Sequence, residues 1–302
     1  MNFLNFIFTI SILTLVSCTG GDFKESKKFI NGEVVSADTL NLGQQVYIEY
    51  CSSCHGLKGD GNGVAAKGST PPPRNFTQGL YKFGLVADSG LPTDEDFHRI
   101  IKNGLKGTAM LPWDVSDKQV YAVTQYIKTF APQVWEAKDR TVGTKIELSP
   151  NPYVASTTFA INKGKEVYHV TGQCQSCHRA YVTKAELSDL NKKVSGAPLT
   201  EFDSEMYKMK LQTSEYYYHD SNERLVKFLP PDFTWHEIRS GSTVDEIAMR
   251  LAAGVTGTGM PMWKGVLTDE EIWAVAYYVK SLSELKNTDA REQLMKELEN
   301  QE

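Results

Sequence analysis

Apolar residues recur at helical spacing in two stretches of this 302-residue chain. Val120, Val123, Ile127 and Phe130 fall at i, i+3, i+7 and i+10, and Ile272, Val275, Val279 and Leu282 repeat that phase. Each set lines one face of an amphipathic helix. Ser116 and Thr268 stand where N-caps belong, and Glu271, three residues after Thr268, completes a capping box. Thr93 with Asp96, and Thr243 with Glu246, open two shorter helices. Gly104 and Gly254 end them, as glycine commonly does at a helix C-terminus. No alternating run is long enough to argue a sheet. The pattern predicts an all-α fold.

The pattern is also written twice. Gly107-Thr108-Ala109-Met110-Leu111-Pro112-Trp113 returns as Gly257-Thr258-Gly259-Met260-Pro261-Met262-Trp263. Gly43, Val46 and Tyr47 return as Gly164, Val167 and Tyr168; Tyr126 and Lys128 return as Tyr278 and Lys280. Pro72-Pro73-Arg74-Asn75-Phe76-Thr77 is echoed by Pro230-Pro231-Asp232-Phe233-Thr234. Offsets this long mean a tandem duplication of one domain rather than a short-period solenoid. The expected division is a first domain over 38–135, a linker over 136–157 carrying Ser149-Pro150-Asn151-Pro152, and a second domain over 158–285. A polar tail, 286–302, reads as a frayed helix. The second copy is longer because of an insert at about 182–227, with Lys-rich helical stretches and Tyr216-Tyr217-Tyr218. A surface elaboration and a cofactor cover or docking surface both suit that insert.

The N-terminus adds a destination. Residues 2–17 carry no charge and are mostly apolar, too short a run for a comfortable membrane span and suited to a signal peptide, 1–17. The run ends Leu15-Val16-Ser17-Cys18, which resembles the lipobox of bacterial lipoproteins. That resemblance implies cleavage before Cys18 and a diacylglycerol on its thiol, with 18–37 as a flexible tether. An ordinary signal peptide or an uncleaved anchor are the alternatives; all three export the chain. Composition changes little: 41% hydrophobic, 23% charged and net −5, which excludes a generally basic nucleic-acid binder. No block of like charge stands out.

The chemistry lies in the cysteines. Of five, Cys18 is accounted for above and four form Cys51-Ser52-Ser53-Cys54-His55 and Cys174-Gln175-Ser176-Cys177-His178. Cys-x-x-Cys-His is the attachment signal for a c-type haem. Two thiols add to the two vinyl groups of one haem, and the following histidine is placed to ligate iron. A disulfide framework does not explain the trailing histidines, and zinc lacks an evident fourth ligand in either motif. The expected cofactors are two covalently bound haems, held by Cys51, Cys54 and His55 and by Cys174, Cys177 and His178.

The sixth ligand separates electron carriers from enzymes, since an open iron position invites a substrate. Met110 and Met260 occupy matching places after Gly-Thr and are the candidate ligands. Met262 competes with Met260 but aligns with Pro112. Of the other histidines, His98 reads as a surface residue, His169 carries no assigned role, and His219 and His236 are minor candidates for a distal ligand.

Both halves resemble class I cytochrome c domains. In that family an N-terminal helix ends in the haem motif, a loop supplies Met, and a C-terminal helix crosses the N-terminal one. The resemblance implies that crossing at Gly43 with Tyr126 and at Gly164 with Tyr278. It implies a proline carbonyl, Pro73 or Pro231, accepting a hydrogen bond from the proximal His. Arg74 resembles a haem-propionate partner without a match in the second copy, and Gly59-Asp60-Gly61-Asn62-Gly63 is frequent in the family. The implied activity is single-electron transfer between membrane or periplasmic redox proteins by a lipid-anchored dihaem cytochrome. Two alternatives are kept. One is a dihaem peroxidase-type enzyme with an open haem. The other is the cytochrome subunit of a larger dehydrogenase or oxidase complex, since the chain is also similar to the dihaem subunit of certain haem–copper oxidases.

Overall fold

The computed structural model describes residues 22–87, 90–209, 212–213 and 227–301. The apolar segment 2–17, Cys18, the tyrosines 216–218 and His219 lie outside the described residues.

Among the described residues the fold is all-α apart from two short antiparallel pairs. The first, β1 (Lys27–Lys28) with β2 (Val34–Val35), precedes α1 (Ala37–Val46). Ser36 caps α1 by accepting from the Thr39 N–H. The helix loosens into a wide π turn at Tyr47–Cys51 and ends as α2 (Ser52–His55). Next come α3 (Asp94–Asn103), α4 (Asp117–Lys128) and the short α5 (Pro132–Trp135). The second copy repeats the order. α6 (Thr157–Glu166) runs into a π turn at Val167–Thr171. After the inserted α7 (Lys184–Ser195) and the pair β3 (Gln212–Thr213) with β4 (Lys227–Phe228) come α8 (Val244–Ala253) and α9 (Asp269–Ser283). A last helix, α10 (Asp289–Glu299), follows.

The apolar stripes became the two cores. α1 packs on α4 and α6 on α9. Val120, Val123 and Ile127 are buried in one core, and Ile272, Val275, Val279 and Leu282 in the other. The helix starts are held by reciprocal bonds: Thr93 with Asp96, Ser116 with Gln119, Thr243 with Glu246 and Thr268 with Glu271 are complete capping boxes. In α9 the Glu271 N–H donates to Thr268 Oγ1 at 3.2 Å and Glu271 Oε2 accepts from the Thr268 N–H at 3.0 Å. Thr268→Ala is expected to destabilise the second domain by about 1 kcal/mol, read as a lower urea midpoint at unchanged slope.

Three stretches are more ordered than their composition suggests. The expected tether, 18–37, is folded from Asp22 on. The Phe23 N–H donates to Asn41 Oδ1, Phe23 meets Tyr126 edge-to-face, and Phe29, Ile30 and Val35 are buried. The buried Lys128 anchors it from α4, pairing with Glu33 at 3.2 Å and with Asp94 at 2.7 Å. The expected linker, 136–157, lies against Leu85, Val86 and Leu91, with the Gly143 N–H donating to Leu91 O and the Ile146 N–H to Leu85 O. It buries Ile146 and Tyr153 in the second core. The tail expected to fray instead docks. Met295 and Leu298, three apart on one face of α10, enter the second core, and Arg291 Nε donates to Thr234 Oγ1 at 3.0 Å. In each case a few apolar side chains in a polar stretch find a core supplied by distant sequence. The start of the insert does the same: α7 buries Leu187, and Lys165 pairs with Glu186 at 2.8 Å.

Candidate haem sites

Each Cys-x-x-Cys-His motif sits where the N-terminal helix of its domain runs out. What aims that helix is its crossing with the C-terminal helix. A Cβ placed on Gly43 would lie 2.1 Å from the Ala122 carbonyl oxygen, and one on Gly164 would lie 2.0 Å from that of Ala274. Neighbouring Tyr126 and Tyr278 fill the crossing, packing against Tyr47 and Tyr168 with ring centroids 5.3 and 5.5 Å apart. Tyr47 and Tyr168 then reach the motif itself: Tyr47 donates to the Gly56 carbonyl at 2.8 Å and Tyr168 to the Arg179 carbonyl at 2.9 Å. These are the residues immediately after His55 and His178. The glycines and tyrosines therefore set helix separation and, through it, the place of each histidine.

The histidines are held alike. His55 stacks on Phe76 with centroids 4.5 Å apart, and His178 on Phe233 at 4.8 Å. His55 Nδ1 donates to the Arg74 carbonyl at 2.9 Å. That bond fixes the ring and leaves Nε2 as the nitrogen free for iron. The acceptor corrects the expectation of Pro73. Aligning the copies on Phe76 and Phe233 puts Arg74 opposite Pro231, one residue along from the proline-on-proline match. In the second copy the Pro231 carbonyl faces the His178 ring, but short of hydrogen-bond geometry, and the buried Nδ1 has no hydrogen-bond partner. The turn after it is a copy: Asn75 Oδ1 accepts from the Thr77 N–H and hydroxyl, and Asp232 Oδ1 from those of Thr234. Burial lowers the pKa of His55, and lowers that of His178 to about 4, a shift toward the neutral ring that an iron ligand needs.

All four cysteines are unbridged and half-buried. Burial pushes the Cys51 and Cys174 thiols up to about 12. They lack the thiolate character of a redox dithiol. Among the described residues no group of three or more His, Cys, Asp or Glu side chains is placed to hold a metal ion.

The methionine loops also share one hydrogen-bond frame. Gly104 and Gly254, both at φ +65°, turn the chain out of α3 and α8 in the left-handed region that favours glycine. The Leu105 N–H then donates to Met110 O at 2.8 Å, and the Val255 N–H to Met260 O at 3.0 Å. Thr108 and Thr258 hydroxyls donate to the carbonyls of Leu105 and Val255, and accept from the Met110 and Met260 N–H groups. Met260, not Met262, occupies the place of Met110 in this frame. Both Met110 and Met260 pack half-buried against their cores.

The three other described histidines have different surroundings. His98 is a surface residue beside Asp117. His169 is buried between the Lys165 carbonyl and the Tyr181 N–H. His236 Nδ1 accepts from the Asp232 N–H at 3.0 Å. Unbridged cysteine pairs, histidines shifted toward the neutral form with Nε2 free, and a glycine-rooted Met loop in each half fit a covalently bound haem. Sequence reasoning missed the Phe76 and Phe233 stacks. The recurrence of Phe beside a Pro-rich turn was the available signal.

Three comparisons bear on this arrangement. A family model described as Cytochrome C oxidase, cbb3-type, subunit III matches residues 38–127 and 159–279. No match is found among the curated proteins. A chain of the Kuenenia stuttgartiensis reducing HAO-like protein complex is similar in structure, with TM-score 0.61 and 27% identity, covering 80% of this chain and 95% of that one. Two family matches over two copies of one haem-motif fold leave a single conclusion: the chain belongs to the cytochrome c oxidase, cbb3-type, subunit III family of c-type cytochromes, electron-transfer proteins with covalently bound haem c.

Proposed function

We propose that this chain is an exported dihaem cytochrome that passes single electrons between redox proteins, one haem on Cys51 and Cys54, the other on Cys174 and Cys177. His55 and Met110 are the axial ligands of the first, His178 and Met260 of the second. The observation that carries this reading is the Met loop written twice in one hydrogen-bond frame. Bound haem supplies a one-electron iron couple. The chain's own residues orient each histidine through Phe76 or Phe233, hold each thioether in place, and keep water from the ring with the apolar cores. A soft thioether from Met110 and Met260 raises the potential relative to a second histidine. It also fills the position that a dihaem peroxidase would need open.

Cys18 is proposed as the lipid attachment, placing the haem domains in the periplasm or outside the cell. Two acyl chains give stable anchoring where one is marginal. The partners are redox proteins rather than nucleic acid, consistent with the net charge of −5. A subunit role within a larger redox complex is favoured by the likeness to a chain of the reducing HAO-like protein complex; it shares this chemistry and differs in partners.

The test is spectroscopic. A pyridine haemochrome measurement is expected to give two c-type haems per chain, and the ferric protein the sulfur-to-iron charge-transfer band of Met ligation. Met110→Ala and Met260→Ala should each make one haem high-spin and remove about half of that band. One haem per chain, or an unaltered band in both variants, would refute the assignment.

A further inference from the structure

The two copies depart from each other most informatively where they touch. In α8 the second copy carries Arg250 at the place of Ile100 in α3. Arg250 is 6% exposed, deep for an arginine. Its Nη1 donates to the Gly254 carbonyl at 2.9 Å, the residue that roots the Met260 loop, and to the Gly84 carbonyl of the first domain at 3.0 Å. Its Nη2 donates to the Phe83 carbonyl at 2.9 Å. The Phe83 carbonyl also accepts from Arg99 Nη2 at 2.7 Å, and Arg99 is paired with Asp96 at 2.8 Å. One guanidinium thus ties the root of the second methionine loop to the first domain.

The reverse contact exists as well. Lys106, four residues before Met110, donates its N–H to the Arg239 carbonyl at 3.2 Å and its Nζ to Ser242 Oγ at 2.7 Å. A Cβ on Gly107 would stand 3.0 Å from the Glu237 Cβ. Arg239, Ser242 and Glu237 all belong to the second domain. The residue corresponding to Lys106, Thr256, lines a cavity whose other walls come from the first domain, including Tyr81 and Pro92, and from Arg140 of the linker.

We propose that each domain holds the other's methionine loop in place, with Arg250 the positioning residue for the Met260 loop and Lys106 for the Met110 loop. The inference rests on Met110 and Met260 being the axial ligands. Its physical basis is that a loop tied at its root has fewer conformations in which the thioether is withdrawn. Removing the tie favours the withdrawn state. Because the ties cross the interface, a perturbation of one loop reaches the other domain, and coupling free energy is reciprocal. Arginine suits this place because its planar fork reaches the three carbonyls from two separated nitrogens, Nη1 and Nη2, where lysine would have to reach all of them from one.

The experiment uses the full dihaem protein and imidazole, which competes with the methionine for ferric iron. Each haem is followed by the shifted methyl resonance of its own methionine, assigned with Met110→Ala and Met260→Ala. In Arg250→Met the apparent imidazole affinity of the second-domain haem is expected to rise about tenfold, equivalent to about 1.4 kcal/mol. Arg250→Lys should fall between this variant and the parent, and the first-domain haem should change less than the second. Lys106→Ala removes one exposed side-chain bond and should raise the affinity of the first-domain haem two- to threefold, roughly half a hydrogen bond's net worth. Unchanged affinity of the second-domain haem in Arg250→Met with native circular dichroism overturns the proposal. If Arg250→Met does not fold, unchanged affinity of the first-domain haem in Lys106→Ala overturns it. Failure of the ligand assignment looks different: Met260→Ala would then leave both methionine resonances intact.

Discussion

Gly164→Ala is expected to destabilise the second domain by about 2 kcal/mol or more, although alanine is the better helix former. The two effects have opposite signs, and their sizes decide the outcome. In a helix interior alanine is favoured over glycine by about 1 kcal/mol. Against this, the new Cβ would sit 2.0 Å from the Ala274 carbonyl oxygen and 2.8 Å from the Tyr278 Cβ. Both belong to α9 close to its backbone, so no rotamer change relieves the overlap and the helices must separate. Overpacking of this kind costs about 1–3 kcal/mol, and a backbone contact belongs at or above the top of that range. Separation also moves Tyr168 from the Arg179 carbonyl and so disturbs the histidine before it. Gly43→Ala should do the same to the first domain, where the contact to Ala122 is 2.1 Å. Urea melts followed by tryptophan fluorescence and by the haem bands are the measurement. An alanine variant that melts later than the parent would show that the crossing is looser than described.

Cys174→Ser with Cys177→Ser is expected to halve the haem content and to remove the cooperative melt of the second domain while sparing the first. Without thiols no thioether forms, and His178 alone cannot retain the cofactor through purification. A covalently held haem stays with the chain in both states, so it would stabilise the domain through axial ligation and apolar packing that only the native state makes. The half-buried Met260 and the stacked pair of His178 on Phe233 would lose the haem proposed to lie against them. The first domain has its own core, built on Val120, Val123 and Tyr47, so its Met band should persist. Haem per chain by pyridine spectrum and two-wavelength melting make the test. Retention of two haems would refute the assignment of the second motif.

Much of the fold was legible in the chain because its signals are local. A capping box needs only Thr268 and Glu271, three residues apart, and the α9 stripe needs only a period. The repeat told which loop positions correspond, and so favoured Met260 over Met262 before any contact was known. The haem motifs were legible for a covalent reason: two thiols spaced for two vinyl groups, with the ligand adjacent. The acceptor for His55 was misplaced by one residue because prolines were aligned on prolines. The ring stack on Phe76 is what sets the register, and a stack between residues 55 and 76 has no local signature.

What the sequence by itself determined is the all-α class, the duplication, the helix ends and the residues able to hold haem, each encoded within a few positions or by an exact spacing. Only the tertiary structure decided which carbonyl takes the proximal histidine, that 22–37 and α10 are packed rather than loose, and that Arg250 joins the two copies. Those outcomes depend on groups distant in sequence meeting in one geometry, from 19 residues apart for His55 and Arg74 to 166 for Arg250 and Gly84. No composition or period records such a meeting, because its free energy comes from desolvation and hydrogen bonding that exist only once the cores have formed.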